Sequence, residues 1–194
     1  MKVIYPILIT MYKVSQIKKE EVTLEGKMKG KIWKFGNNIN TDEMMPNIAF
    51  LESLEGQKKL VFESIRPGWS SQVQEGDIII GGENFGTGSS RPGAKLLREL
   101  GVVAIIADSL NGLFLRNCVN FGVVGLSCQG ISSSFEEGEI AEVHPYDGEI
   151  LNVSKRKVHQ AEILPEKLVN LALKGGIEPL LESEGYLKKT TNEK

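Results

Sequence analysis

The chain has 194 residues, 41% of them apolar and 25% charged, with a formal net charge of −2. That length supports one domain with a buried core, and those fractions exclude a fibrous or disordered chain. Basic residues fall in scattered pairs such as Lys18-Lys19, Arg156-Lys157 and Lys188-Lys189, with few aromatics among them. Such a chain has neither a polyanion-binding face nor a base-stacking platform, so no nucleic-acid partner is expected.

The opening VIYPILITMY is apolar, but it has about half the length a membrane span needs and a proline interrupts it. It lacks the cleavage pattern of a signal peptide, and no membrane partner is expected. Residues 1–27 read either as an added extension, strand plus short helix, or as the product of a start upstream of Met28.

From Met28 the punctuation becomes regular. KIWKFG alternates as a half-buried strand does and ends in the turn Gly36-Asn37-Asn38. NINTDEMMPN reads as a polar loop, followed by short helical stretches around AFLESL and QKKLVFESI. DIIIGG is the apolar run of a buried strand, and the glycine-rich GENFGTGSSRPGA follows at once. Pro92 fits the first turn of a helix that Gly101 closes, and VVAIIA is the next strand. Asp108 or Ser109 can cap a second helix, with Leu110, Leu113, Phe114 and Cys118 at helical spacing and Gly122 as its stop. VVGLS supplies another strand. This order predicts an α/β fold with a largely parallel central sheet and covering helices.

Farther on, EIAEVHPYDGEILNVS predicts a hairpin around Asp147-Gly148, KVHQAEI a further strand, and PEKLVNLALKGG a helix opened by Pro165 and closed by Gly175. No repeat or linker divides the chain. Residues 28–187 are therefore expected to form one domain, and 188–194 a polar tail. Cys118 and Cys128 fall in a predicted buried helix and strand. They have neither a zinc spacing nor a disulfide framework, so they act as small apolar residues, and a reducing cytoplasm fits.

The glycine loop carries the chemistry. Gly86 and Gly88 permit positive φ or close approach of a ligand, while Ser89, Ser90 and Arg91 add two hydroxyls and a planar fork suited to a carboxylate. One reading is a strand-to-helix turn in which the serines cap the helix. A second is nucleotide binding, since Gly86-Thr87-Gly88 begins a G-x-G-x-x-G count and Asp108 ends the next strand. Arg91 stands where that count needs its third glycine, and no phosphate-binding G-x-x-x-x-G-K-[ST] pattern is present. The third is catalytic: amide N–H groups and a guanidinium can make a serine hydroxyl acidic enough to serve as a base. There is no Gly-x-Ser-x-Gly elbow, and the only histidines available as partners, His144 and His159, lie in the late hairpin region.

Four segments, KIWKFGNNINTDEMMP, GGENFGTGSSR, GVVAIIADSLNGLFLRNCVNFG and LALKGGIEPLL, occur in an order and at spacings that resemble the small subunits of the 3-isopropylmalate dehydratases. Those subunits are equivalent to the swivel domain of aconitase, and the resemblance runs from Met28 to about Leu187. It implies the β/β/α swivel-domain-like fold and a hydro-lyase of leucine biosynthesis. In such an enzyme the small subunit lends a serine loop to a site whose iron–sulfur cluster a large subunit holds. A cubane cluster needs three or four cysteine ligands, and two distant cysteines cannot provide them. No cofactor is therefore expected on this chain, and a 4Fe–4S cluster is expected on the partner.

By the same resemblance, Ser89 removes the proton next to a carboxylate, while Gly88, Ser90 and Arg91 hold the carboxylate itself. Asp42 matches an acid of the proton-transfer network, with a turn-capping aspartate as the alternative. Asn47, Ile48, Ala49 and Phe50 occupy the loop that reads the substrate's variable side group. Two departures stand out: Pro92-Gly93 replaces the family's usual Glu-His, and the reading loop lacks an arginine. An uncompensated buried carboxylate is costly, so the expected substrate is a hydroxy diacid with an apolar side group. Isopropylmalate fits, as does 2,3-dimethylmalate; citramalate/citraconate and homoaconitate types are further alternatives. A binding module for a small acid or RNA is the alternative from another class.

Overall fold

Three consecutive isoleucines set the architecture. Ile78, Ile79 and Ile80 are all fully buried, which a strand achieves only when both of its faces are covered. Ile79 packs with Trp33, Ile105, Leu96, Leu97 and Phe114 on one side. Ile78 and Ile80 pack with Ile32, Ala104, Ile106, Leu126 and Phe135 on the other. The computed structural model that shows this describes residues 26–88 and 91–188.

The strands are β1 (Met28–Lys34), β2 (Ile78–Gly81), β3 (Ala104–Ala107), β4 (Val124–Ser127), β5 (Ile140–His144), β6 (Glu149–Asn152) and β7 (Lys157–Gln160). They form one seven-stranded sheet in the order β4-β3-β2-β1-β5-β6-β7. The pairings from β1 through β4 are parallel, as the central pattern predicts. Those through β5, β6 and β7 are antiparallel, and the late hairpin turns at a left-handed Gly148. β1 joins the two halves. Its residues Ile32–Lys34 pair with β2 in parallel, whereas Met28–Lys31 pair with β5 antiparallel. That second partner explains why β1 starts ahead of the apolar alternation in KIWKFG.

The helices are α1 (Thr41–Met44), α2 (Leu54–Leu60), α3 (Gly93–Glu99), α4 (Gly112–Asn120), α5 (Glu166–Leu173) and α6 (Ile177–Ser183). α4 departs from expectation at its start. Asn111 caps it, accepting from Leu113 N, because Leu110 bridges Phe85 and continues the strand edge. Asp108 instead accepts from the backbone and hydroxyl of Ser132, and Ser109 accepts from Asn84 N. α1 lies inside what reads as a loop. α6 was hidden by Pro179, which its first turn tolerates because the N–H there has no intrahelical partner.

The long connection from β1 to β2 is clamped onto the sheet by aromatic rings. Phe35, Phe62, Trp33 and Trp69 pack with centroid separations of 4.3 to 6.0 Å, mostly edge to face. Met44, Met45 and Ala49 are buried in the same cluster. The polar stretch from Asn37 to Asn47 is thereby held beyond the carboxyl ends of the parallel strands, the usual place for a site in such sheets.

Candidate active site

Two loops leave neighbouring parallel strands and stay side by side. Asn38 N donates to the Glu83 carbonyl, Gly86 N and Thr87 N donate to that of Ile39, and Thr41 N donates to that of Thr87. An Asn40–Thr87 bridge continues the β1–β2 ladder past its named ends. As far as Thr87 the glycine loop is therefore a fixed extension of the sheet, and its glycines follow from crowding. Gly86 has φ +79°, and a Cβ there would lie 2.1 Å from the Phe114 ring. Gly88 has φ +104°, and its Cβ would lie 2.4 Å from Asn40 Oδ1.

Asn40 opens α1 with a capping box. Its side chain accepts from Asp42 N at 2.9 Å, and its own N–H donates to Glu43 Oε2 at 2.8 Å. The cap is thus made by Asn40, and the Asp42 carboxylate meets Arg91, whose Nε lies 2.9 Å from Asp42 Oδ1. The other guanidinium nitrogens reach the same segment: Nη1 donates to the Met45 carbonyl at 2.8 Å and Nη2 to Asn47 Oδ1 at 2.9 Å. The Phe50 ring centroid lies 5.8 Å from Arg91 Cζ. Asp42, Asn47, Phe50 and Arg91, forty or more residues apart across the two loops, are brought together.

The residues after Asn47 divide. Ile48 and Phe50 are exposed, as are the following Leu51 and Leu54, whereas Ala49 is fully buried and faces the core. Ser89 and Ser90 lie outside the described residues, as do residues 1–25 and most of the predicted tail.

α3 begins directly after Arg91, with Pro92 at its N-cap. A Cβ on Gly93 would come within 2.9 Å of the Met44 side chain, so the bare residue lets α3 seat against α1. The N–H of Ala94 donates to Asn117 Oδ1, at 3.0 Å, from α4. α3 spans seven residues, and one of its leading N–H groups is already taken. The guanidinium is therefore a stronger positive feature here than the helix end. Nothing in the sequence sets Asn117 apart from other polar residues or Asn47 from its loop neighbours, whereas Asn40 and Glu43 are spaced as a capping box.

The remaining reactive groups lie elsewhere. His144 Nε2 is 3.2 Å from Glu142 on β5, and His159 sits on β7. The buried Nε2 of His159 finds no hydrogen-bond partner among the described residues, and desolvation, aided by Lys157, pushes its pKa down. Burial pushes the thiols of Cys118 and Cys128 up, the latter helped by Asp108, so both stay protonated at neutral pH. Among the described residues no group of three or more His, Cys, Asp or Glu is placed to hold a metal ion. No helix among them is long and apolar enough to cross a membrane.

Comparison with known proteins matches the aconitase C-terminal domain to residues 11–130. The isopropylmalate/citramalate isomerase small subunit of Methanocaldococcus jannaschii is 38% identical over 164 residues, covering 84% of this chain and 94% of its own length. The 3-isopropylmalate dehydratase small subunit of a Hydrogenobaculum strain is 36% identical over 77% of this chain and 93% of its own. A crystal structure of 3-isopropylmalate dehydratase from Methanocaldococcus jannaschii superposes with a TM-score of 0.74 at 28% identity, covering 82% of this chain and 96% of that one.

Proposed function

Because the chain belongs to the aconitase C-terminal domain family, among its 3-isopropylmalate dehydratase small subunits, we propose that it is the small subunit of a hydro-lyase of leucine biosynthesis that interconverts isopropylmalate isomers. Its fold is the α/β fold of the swivel domain, and we take residues 28–187 as that unit, with 1–27 an extension and 188–194 a tail. The partner is a large subunit carrying a 4Fe–4S cluster, which supplies the Lewis acid for the substrate hydroxyl. The compartment is the reducing cytoplasm, in keeping with two buried, free thiols.

The observation that carries this reading is Arg91, held at the rim of the parallel strands by Asp42, Met45 and Asn47. A guanidinium fixed in advance is suited to a substrate carboxylate and to the charge that develops beside it when the neighbouring C–H proton leaves. In this scheme Ser89 accepts that proton, Ser90 and the Gly88 backbone assist in holding the carboxylate, and Asp42 steadies the proton-transfer network. The exposed run Ile48, Phe50, Leu51 and Leu54 beside Arg91 fits a face covered by the large subunit and by the apolar side group of the substrate.

The test is co-expression with the large subunit and anaerobic assay of wild type against Ser89→Ala. The assembled, cluster-bearing variant is expected to lose about 100-fold or more in turnover. Normal turnover in that complex would remove Ser89 from the mechanism. A chain that stays alone and binds the diacid unaided would overturn the two-subunit reading.

A further inference from the structure

All three nitrogens of the Arg91 guanidinium make contacts to one short segment of the long β1–β2 connection, and Asn47 supplies the farthest of them. Asn47 is also the first residue of the 3-10 turn Asn47–Leu51, which presents Ile48 and Phe50 to the surface and anchors itself through the fully buried Ala49. The residue at the head of the reading loop is therefore hydrogen-bonded to the group proposed to hold the substrate carboxylate.

From this geometry we infer that Asn47 is a positioning residue: its amide oxygen sets the orientation of the Arg91 guanidinium, so that the loop reading the substrate's side group also aims the carboxylate clamp. The inference rests on the proposed role of Arg91. The mechanism is geometric. A guanidinium is planar, and its fork matches a carboxylate only within a narrow range of orientations. Nε and Nη2 share one edge of the plane, met by Asp42 and Asn47, and the Met45 carbonyl meets Nη1; without Asn47 that edge is held at Nε alone and the plane can turn. Arg91 is largely sheltered, its side chain 16% exposed, so water competes weakly for these contacts.

The consequence separates Asn47 from its neighbours. Ile48 and Phe50 are exposed and have apolar side chains, so changing them alters the preference among diacids that differ in side group. Changing Asn47 weakens all diacids alike, because every substrate shares the carboxylate.

The experiment uses the complex with the large subunit, assayed with 2-isopropylmalate, citramalate and 2,3-dimethylmalate, whichever of these the wild type turns over. Asn47→Ala is expected to raise KM about tenfold for each of them, the usual scale for one hydrogen bond to a charged group, with a smaller change in kcat. Asn47→Gln, which keeps a neutral amide oxygen, restores part of the loss, whereas Asn47→Asp does not, because a second carboxylate on Arg91 offsets the charge that the substrate needs. In an Arg91→Lys background, Asn47→Ala adds little, because the group it aims is already gone.

An unchanged KM for every diacid in Asn47→Ala overturns the inference, and so does a shift in preference without a common loss. If Arg91→Lys itself leaves KM and turnover untouched, the proposed role of Arg91 falls first. If Arg91→Lys is impaired while Asn47→Ala is normal, only the positioning role falls. Subunit assembly and cluster content, measured for each variant, identify any loss caused by misfolding.

Discussion

Two arginines in this molecule use the same contacts to opposite ends. Arg66 lies at the carboxyl end of β1, just past the seam where antiparallel pairing with β5 gives way to parallel pairing with β2. It holds Glu137 with both Nη atoms, donates to the Lys34 carbonyl, and lies 4.8 Å from the Trp33 ring centroid and 5.6 Å from that of Phe35. Arg91 likewise has a carboxylate, a backbone carbonyl and an aromatic ring around it. The difference is in how the partners are spent. Glu137 meets Arg66 as a two-pronged pair over a buried aromatic cluster, which neutralises the charge and seals the core. Among the described residues, Asp42 meets Arg91 through one nitrogen and neutral oxygens meet the other two, an arrangement that orients the guanidinium more than it cancels it. On the role proposed for Arg91, the first is a strut and the second a clamp.

The sharpest way to break the comparison is to truncate each arginine in the assembled enzyme. Arg91→Ala is expected to lower kcat/KM by roughly 100- to 1000-fold, the scale for removing a preorganised charge, with little change in Tm. Arg66→Ala is expected to do the reverse, leaving turnover intact and costing about 1–2 kcal/mol, a few degrees in Tm, through lost ring contact and a partly screened ion pair. Calorimetry and steady-state assay of the same two preparations decide it. Similar profiles for both variants would show that the two sites do not differ in kind.

The frame behind that contrast was largely legible in the residues. DIIIGG, VVAIIA and VVGLS announce strands buried on both faces, and β2, β3 and β4 lie within them. The antiparallel half was legible from Asp147-Gly148, although its junction with β1 was not. Long-range pairing fixed the start of β1, and local spacing cannot see it. The cap of α4 moved from Asp108 or Ser109 to Asn111 for the same reason, since Ser132 and Asn84 claim the side chains of the earlier pair. Four-residue α1 is too short to show a period. In the site, Arg91 and Asp42 were identifiable one at a time. Their contact spans 49 positions in the chain, and it emerges only once Asn40 has taken the cap.

Gly86→Ala sharpens the comparison from the backbone side. The new Cβ would meet the Phe114 ring at 2.1 Å in a left-handed conformation, and both penalties act together. A loss of roughly 3 kcal/mol is expected, as for other strained, overpacked positions. The damage should centre on the clamp, because Gly86 and Thr87 bind the Ile39 carbonyl just ahead of Asn40. The expected result is a lowered Tm with turnover lost below the transition, while hydrogen exchange at the Arg66 seam, read at Lys34 N and Ile32 N, stays protected. Exposure of the seam at the same temperature would mean that the two regions unfold as one unit and that the distinction is chemical only.

The smallest effect is also the most selective, because it reads the strut through its acid. Burial works to raise the Glu137 carboxyl, but the Arg66 hydrogen bond, the Lys34 N–H and the nearby charges of Arg66 and Lys31 outweigh it and hold the group below the ordinary carboxylate range. A carboxyl with a folded-state pKa below its unfolded one stabilises the fold in full above the unfolded value, about 4.3. That contribution is lost as pH falls through this value toward the folded one. Glu137 is 40% exposed, so solvent screening limits the contribution to about 1 kcal/mol or less. In denaturant titrations Glu137→Gln is expected to be less stable than wild type by that amount near pH 7, and equal to it near pH 3. A constant deficit across that range would mean that Glu137 acts through packing alone, and the charge pair at Arg66 would then not be what separates it from Arg91.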